Sequence, residues 1–336
     1  MGDVERGLIA GFPDPDRRLT GAGLQSSDVR SRPLAVVPPA VALALILAAC
    51  GGGGDGAGTT ARPETAAATR AADVTQTQQA SCSNSGLKTV EGGVLRMPSG
   101  AQPGATPLLV VVVPGGDGDS DDRLTIGGAA GREGVAVLYP TSPGSGFWQL
   151  NDAFGTSDVT AVSALLERQL AGGCFDEDRV SITGVSNGAG FAARMGCELP
   201  TRFAAVVPVS AGYRALDPCP GNARASFLAI HGTADTVTPF NGKKPDRKGN
   251  VPRYTARWAK RDGCAATPRA STPRRLVTRF TYRGCDSGLR VELLRLSGTD
   301  HGWPGAGPPL PDRNPSRLSA TREVLRFIRA ARRPDA

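Results

Sequence analysis

Ser186 lies in Gly184-Val-Ser186-Asn-Gly188, between a short apolar run at 180–183 and a helical stripe that starts at Phe191, Ala192 and Met195. The G-x-S-x-G spacing is that of a sharp strand-to-helix turn, which lifts a serine hydroxyl above a sheet edge where it can attack a carbonyl. Small residues are needed on either side because strand and helix backbones approach closely around a strained serine. With 44 glycines in 336 residues the five-residue pattern says little alone. Its strand–turn–helix setting says more.

A serine hydroxyl is a weak nucleophile and needs a base, an acid that orients the base, and donors for the oxyanion. The chain has two histidines, which narrows the base. His301 follows a predicted strand over 289–296, in the glycine-flanked loop Asp300-His301-Gly302-Trp303. His231 ends a predicted strand over 226–230 and stands four residues before Asp235, poorly placed to be base to that acid. It reads as a supporting histidine. Asp235 directly follows a strand and is the preferred acid. Asp300 adjoins His301, and neighbours in a loop rarely face each other; Asp217 follows no strand. The order Ser186, Asp235, His301 is the nucleophile, acid, histidine order of α/β-hydrolases. For the oxyanion, the amide of Asn187 supplies one N–H. A second is expected from the loop at Gly115-Gly116; because Pro114 cannot donate, Gly116 is the better candidate.

The elements that must carry these residues alternate between strand and helix. Two short strands are expected over 87–97, then buried strands over 107–113, 134–140, 203–209 and 226–230, with two more over 276–282 and 289–296. Continuous β-branched runs such as Val110 to Val113 suit strands covered on both faces. Helices are expected after Ser157-Asp158, which can cap one whose face holds Val159, Val162, Leu165, Leu166 and Leu170, and over 254–262 and 315–331. The pattern predicts an α/β fold with a mainly parallel central sheet and helices on both faces, occupying residues 82–336.

The first 81 residues read as address and tether. Arg30 and Arg32 precede a mainly apolar run over 34–49 containing Pro38-Pro39, short for a membrane span and suited to a secretory signal. Its ending, Leu47-Ala-Ala-Cys50, resembles the bacterial lipobox, in which the cysteine is acylated; an ordinary cleaved signal with Cys50 incidental is the alternative. The expectation is a lipoprotein-type signal over 1–49, lipidation at Cys50 and a membrane attachment through that lipid. Residues 50–81 are rich in Gly, Ala, Thr and Gln, unable to bury a core, and form a flexible tether with a reach of roughly 30 Å. Cys82, Cys174, Cys197, Cys219, Cys264 and Cys285 remain, an even number that in an exported domain reads as up to three disulfides. Proximity favours Cys264 with Cys285 and Cys197 with Cys219, leaving Cys82 for Cys174. A zinc site is disfavoured because no C-x-x-C occurs. The net charge of +8 comes from arginines scattered among acids, which points to a solvated surface rather than nucleic-acid binding.

The segments around 138–140, 178–188, 197–205, 208–210, 231–235 and 301–305 together resemble the secreted polyhydroxybutyrate depolymerase-like and feruloyl esterase-like serine esterases, carbohydrate esterase family 1 in kind. The resemblance implies an α/β-hydrolase with Ser186, Asp235 and His301 as triad, Trp148 and Trp303 near substrate, and no metal or organic cofactor. It departs from the family at Pro114-Gly115, where His-Gly is usual. The expected activity is hydrolysis of carboxylic esters, short hydroxyalkanoate esters or feruloyl and acetyl esters of polysaccharide. A lipase or peptidase of the same fold, and an inactive surface lipoprotein binding a ligand, are the rival readings.

Overall fold

A computed structural model describes residues 85–99, 108–115, 126–144, 146–213, 216, 219–243, 249–306 and 313–334. The signal segment, the tether, Cys50, Cys82, Gly116 and Asp217 lie outside these residues.

Ten strands form one sheet in the order β1-β2-β4-β3-β5-β6-β7-β10-β9-β8. They are β1 (Gly86–Val90), β2 (Gly93–Met97), β3 (Leu108–Val113), β4 (Val135–Pro140), β5 (Ser181–Val185), β6 (Ala205–Val209), β7 (Ser226–Gly232), β8 (Arg269–Arg274), β9 (Val277–Tyr282) and β10 (Val291–Leu296). The six central strands β4, β3, β5, β6, β7 and β10 pair in parallel. Antiparallel partners close each side: β2 and β1 at one, β9 and β8 at the other. This is the α/β-hydrolase fold, with a hairpin added beyond β10.

Helices cover both faces. Packed on one are α2 (Ser157–Ala171), α3 (Ser186–Glu198) and α4 (Val251–Arg261), whose Leu166, Phe191 and Trp258 meet Leu109, Val111 and Ile182. On the other lie α1 (Ile126–Arg132) and α5 (Ala320–Arg329), with Ile126, Val324 and Ile328 against Val110, Val112 and Leu228. Alternate residues of β3 thus enter opposite cores, the reason its sequence is apolar throughout rather than alternating.

Some elements differ from expectation. Helix α2 starts at Ser157 with Thr156 at its cap position; the Thr156 side chain makes no capping bond, and the Gln149 carboxamide oxygen accepts from the Asp158 amide at 3.2 Å. Asp158 instead turns into the preceding loop, where its carboxylate accepts from the Ser142 hydroxyl and the Gln149 amide at 3.0 and 2.8 Å. Helix α5 is shorter than 315–331 because the Ser319 side chain accepts from the Arg322 amide and sets its start. Helix α1, with its Gly-Gly-Ala-Ala-Gly core, and β8, exposed along its whole length, lack the apolar periodicity that reveals an element in sequence.

Two disulfides pin long connections: Cys197–Cys219 ties the end of α3 to the loop after β6, and Cys264–Cys285 ties the loop after α4 to the loop before β10. Cys174 is also disulfide-bonded; its expected partner, Cys82, is outside the described residues.

Candidate active site

Because β5, β7 and β10 run parallel, their carboxyl ends open on one sheet edge, and the loops there carry the reactive side chains. Ser186 follows β5 with φ +56°, in the left-handed region that costs a side-chain-bearing residue strain. The turn is tight enough to demand glycine. A Cβ on Gly188 would sit 2.0 Å from the Pro114 carbonyl oxygen and 2.4 Å from that of Val113, and one on Gly184 2.6 Å from the Val113 oxygen. Gly115 is equally constrained, since a Cβ there would lie 2.9 Å from the Val185 oxygen and 3.2 Å from Ser186 Cβ. The loop after β3 therefore lies directly against the serine.

A continuous hydrogen-bonded line runs from that serine. Ser186 Oγ is 2.9 Å from His301 Nε2, and His301 Nδ1 is 2.9 Å from Asp235 Oδ2. His301 is partly open to solvent while the Asp235 side chain is fully enclosed. Asp235 sits in a turn that aims its own backbone at it: Oδ1 accepts from the amides of Val237 and Thr238 at 3.0 and 2.7 Å. Oδ2 faces His301, the Thr238 hydroxyl at 2.8 Å, and Nε2 of His231 at 3.1 Å. Burial pushes this carboxyl up, but the hydrogen bonds from His231, His301 and the Thr238 amide outweigh it and hold the group well below the usual carboxylate range. Asp300 is occupied differently, accepting from the His301 amide at 2.8 Å, so it shapes the loop and leaves the imidazole to Asp235.

The loops are tied to one another. Ser210, at φ +50° just past β6, donates its hydroxyl to the Gly302 carbonyl at 2.8 Å, and its own carbonyl lies 3.1 Å from the Thr238 hydroxyl. The Gly212 amide donates to the Ser186 carbonyl at 3.4 Å. None of these three contacts has a signal in the sequence, because each joins segments distant along the chain.

Asn187 opens α3, where backbone N–H groups have no helical acceptor and the helix dipole favours negative charge. Its carboxamide clamps the backbone of Trp148, accepting from the amide at 2.7 Å and donating to the carbonyl at 3.1 Å. The indole of Trp148 stacks on Phe191 at 4.7 Å and donates to the Pro114 carbonyl at 3.0 Å. Pro114 thus serves through its carbonyl, and the missing N–H removes no contact made here. Both tryptophans expected beside substrate are instead interior. Trp148 is 3% exposed and Trp303 2%, the latter donating to the Thr321 hydroxyl at 2.9 Å under α5. An indole carries one donor, and each finds its partner inside the fold, so the ring is turned inward. Two aromatics are exposed instead, Phe147 next to the clamped Trp148 at 64% and Phe154 at 65%; Val237, in the acid turn, is 55% exposed.

Comparison with known proteins places this geometry. Residues 93–214 match the family model described as Esterase PHB depolymerase. The matched segment runs from β2 to just past β6 and contains Ser186, Asn187 and Trp148; Asp235 and His301 follow it. Among curated relatives, "Putative esterase NocK" of Nocardia uniformis subsp. tsuyamanensis is 28% identical over 67% of this chain and 74% of its own length. Feruloyl esterase B of Piromyces equi is 24% identical over 62% of this chain, and the match spans 42% of that protein. Among solved structures, an acetyl xylan esterase from Aspergillus awamori superposes with a TM-score of 0.48 at 18% identity, covering 62% of this chain and 88% of that one.

Proposed function

We propose that the chain is an extracytoplasmic serine esterase that hydrolyses carboxylic esters through an acyl-enzyme. One observation carries this reading: the unbroken line Ser186 Oγ, His301 Nε2, His301 Nδ1, Asp235 Oδ2, both links at 2.9 Å, starting from a strained serine. Ser186 Oγ attacks the ester carbonyl as its proton passes to His301 Nε2. Asp235 keeps the imidazole proton on Nδ1 and stabilises the imidazolium. The carbonyl oxygen becomes an oxyanion at the start of α3, received by the Asn187 N–H and a second N–H from the 115–116 loop. Collapse of the tetrahedral intermediate breaks the C–O bond, and His301 returns the proton to the leaving alcohol. Water, deprotonated by His301, then releases the acid and restores Ser186.

For the substrate, short hydroxyalkanoate esters and feruloyl or acetyl esters of polysaccharide are the two classes; apolar surface at Phe147 and Val237 favours an acyl group that is itself apolar or aromatic. Export with a lipid on Cys50 and a tether over 50–81 is part of the same reading, supported by the disulfides, which persist in oxidising compartments. The test is turnover of nitrophenyl acetate and butyrate, methyl ferulate and a hydroxybutyrate oligomer by the wild type and Ser186→Ala. Wild type should turn over at least one ester, with a loss of about 10⁴-fold or more in the variant. Wild type inactive on all of them sinks the reading, and equal rates for both proteins remove Ser186 from it.

A further inference from the structure

His231 is the second of the two histidines in the chain and takes no direct part in the line from Ser186 to Asp235. It stands at the end of β7, 1% exposed, with Nε2 2.7 Å from the Thr238 carbonyl oxygen and 3.1 Å from Asp235 Oδ2. A carbonyl can only accept, so the short contact to Thr238 places the ring proton on Nε2. Its Nδ1 is buried and has no hydrogen-bond partner. A proton there would be an enclosed donor with nothing to receive it, so the surroundings admit one tautomer only. The Phe240 ring lies T-shaped to the imidazole, with 6.0 Å between centroids.

We infer that His231 is a positioning residue for the ester-cleaving triad: its single Nε2–H locks Asp235 Oδ2 and the Thr238 carbonyl together, so that the carboxylate presents Oδ2 to His301 in one orientation. This rests on the esterase reading above. The geometry gives the reason such a lock is needed. Oδ1 is fixed by two backbone amides, but Oδ2 meets His301, the Thr238 hydroxyl and His231, and the hydroxyl has one proton to share between Oδ2 and the Ser210 carbonyl at 3.1 Å. Thr238 Oγ1 also lies 3.2 Å from His301 Nδ1, near enough to compete with Asp235 for the imidazole proton. His231 holds the Thr238 backbone from the other side and thereby keeps that competitor in its place.

The experiment compares wild type, His231→Gln and His231→Leu on a nitrophenyl ester, with rates normalised to the fraction of Ser186 that reacts with a fluorophosphonate. Glutamine carries an N–H at the same distance along the side chain as Nε2, whereas leucine fills the space without a donor. Leucine should lower kcat by about ten- to a hundredfold, the range for a hydrogen bond to a charged group, with KM within about twofold of wild type, and glutamine should recover most of that loss. Equal kcat per labelled serine in all three proteins overturns the inference, as does a loss confined to KM or one that glutamine does not repair. If the leucine variant does not fold, ¹⁵N-imidazole NMR of the wild type decides, since only two ring systems exist. The His231 ring must carry its proton on Nε2, and an Nδ1–H tautomer overturns the inference. A wild type that labels and turns over nothing sinks the esterase reading, and the positioning role with it.

Discussion

Asp235 and Asp262 are both buried, at 4% and 0% exposure, and lie at opposite ends of the same sheet. Asp235 follows the carboxyl end of β7. Asp262 follows α4 at the amino end of β7, where Trp258 of that helix donates to the Ala225 carbonyl and the Asp262 carbonyl accepts from the Asp286 amide at 2.8 Å. Five donor groups surround the first carboxylate. Among the described residues the second has the Trp258 indole beside it, whose N–H is directed to the Ala225 carbonyl and leaves both carboxylate oxygens without a hydrogen bond of normal geometry. Burial therefore pushes Asp262 up to about 7, with the charges of Arg261 and Arg224 and the nearby Trp258 indole only partly opposing it. Equal burial thus produces opposite outcomes. What decides is whether the local backbone turns its N–H groups toward the carboxylate, as Val237 and Thr238 do and as nothing does at Asp262. One end of the sheet is organised to keep a charge, and the other stores an ionisable group that the fold holds best when neutral.

The sharpest break in this comparison is isosteric neutralisation at each end. Asp235→Asn should lower kcat by about 10⁴-fold, the usual loss when the acid of such a triad no longer holds the imidazole tautomer. Asp262→Asn should leave kcat unchanged, and steady-state kinetics on one ester reads both. Next in size is stability against pH. The folded value for Asp262 lies above its unfolded value near 4, so its contribution is fully present below about pH 4 and is lost as pH rises through about 7. Wild type should lose roughly 1.4 kcal/mol per pH unit across that window from this group, and Asp262→Asn should remove the slope; urea unfolding at pH 5, 6, 7 and 8 measures it. For Asp235 the sign reverses. Its folded value is depressed, so the stability it confers is present above about pH 4 and is lost as pH falls below that, and Asp235→Asn should flatten the acid side of the same curve. The smallest effect concerns the neighbouring loop: Trp148→Phe keeps the stack on Phe191 but frees the Pro114 carbonyl, and should cost about fivefold in kcat, the worth of one neutral hydrogen bond.

The central strands were legible because a strand buried on both faces must be apolar at every position, and β3 and β4 are. Helix α1 and strand β8 were not, one having three glycines in seven residues and the other being fully exposed. Within the site, the elbow announces itself because its glycines act on neighbours along the chain and across one strand. Trp148 and Trp303 differ from what the family resemblance implied: it put both near substrate, while both indoles here are buried in the interior. For Asn187 the sequence suggested a backbone role only, and the clamp made by its side chain on Trp148 was not legible.

The sequence by itself determined the kind of chemistry available: one serine in an elbow, two histidines, and acids in the order that an α/β-hydrolase uses. Those are properties of residue type and spacing, which the linear chain carries in full. Only the tertiary structure decided which aspartate faces the imidazole, that Asp300 is spent on its own loop, that His231 shares the chosen carboxylate, and that Asp235 is held charged while Asp262 is not. Each of these depends on where hydrogen-bond donors point once strands far apart in sequence have been laid side by side, and direction is a quantity that residue order does not contain.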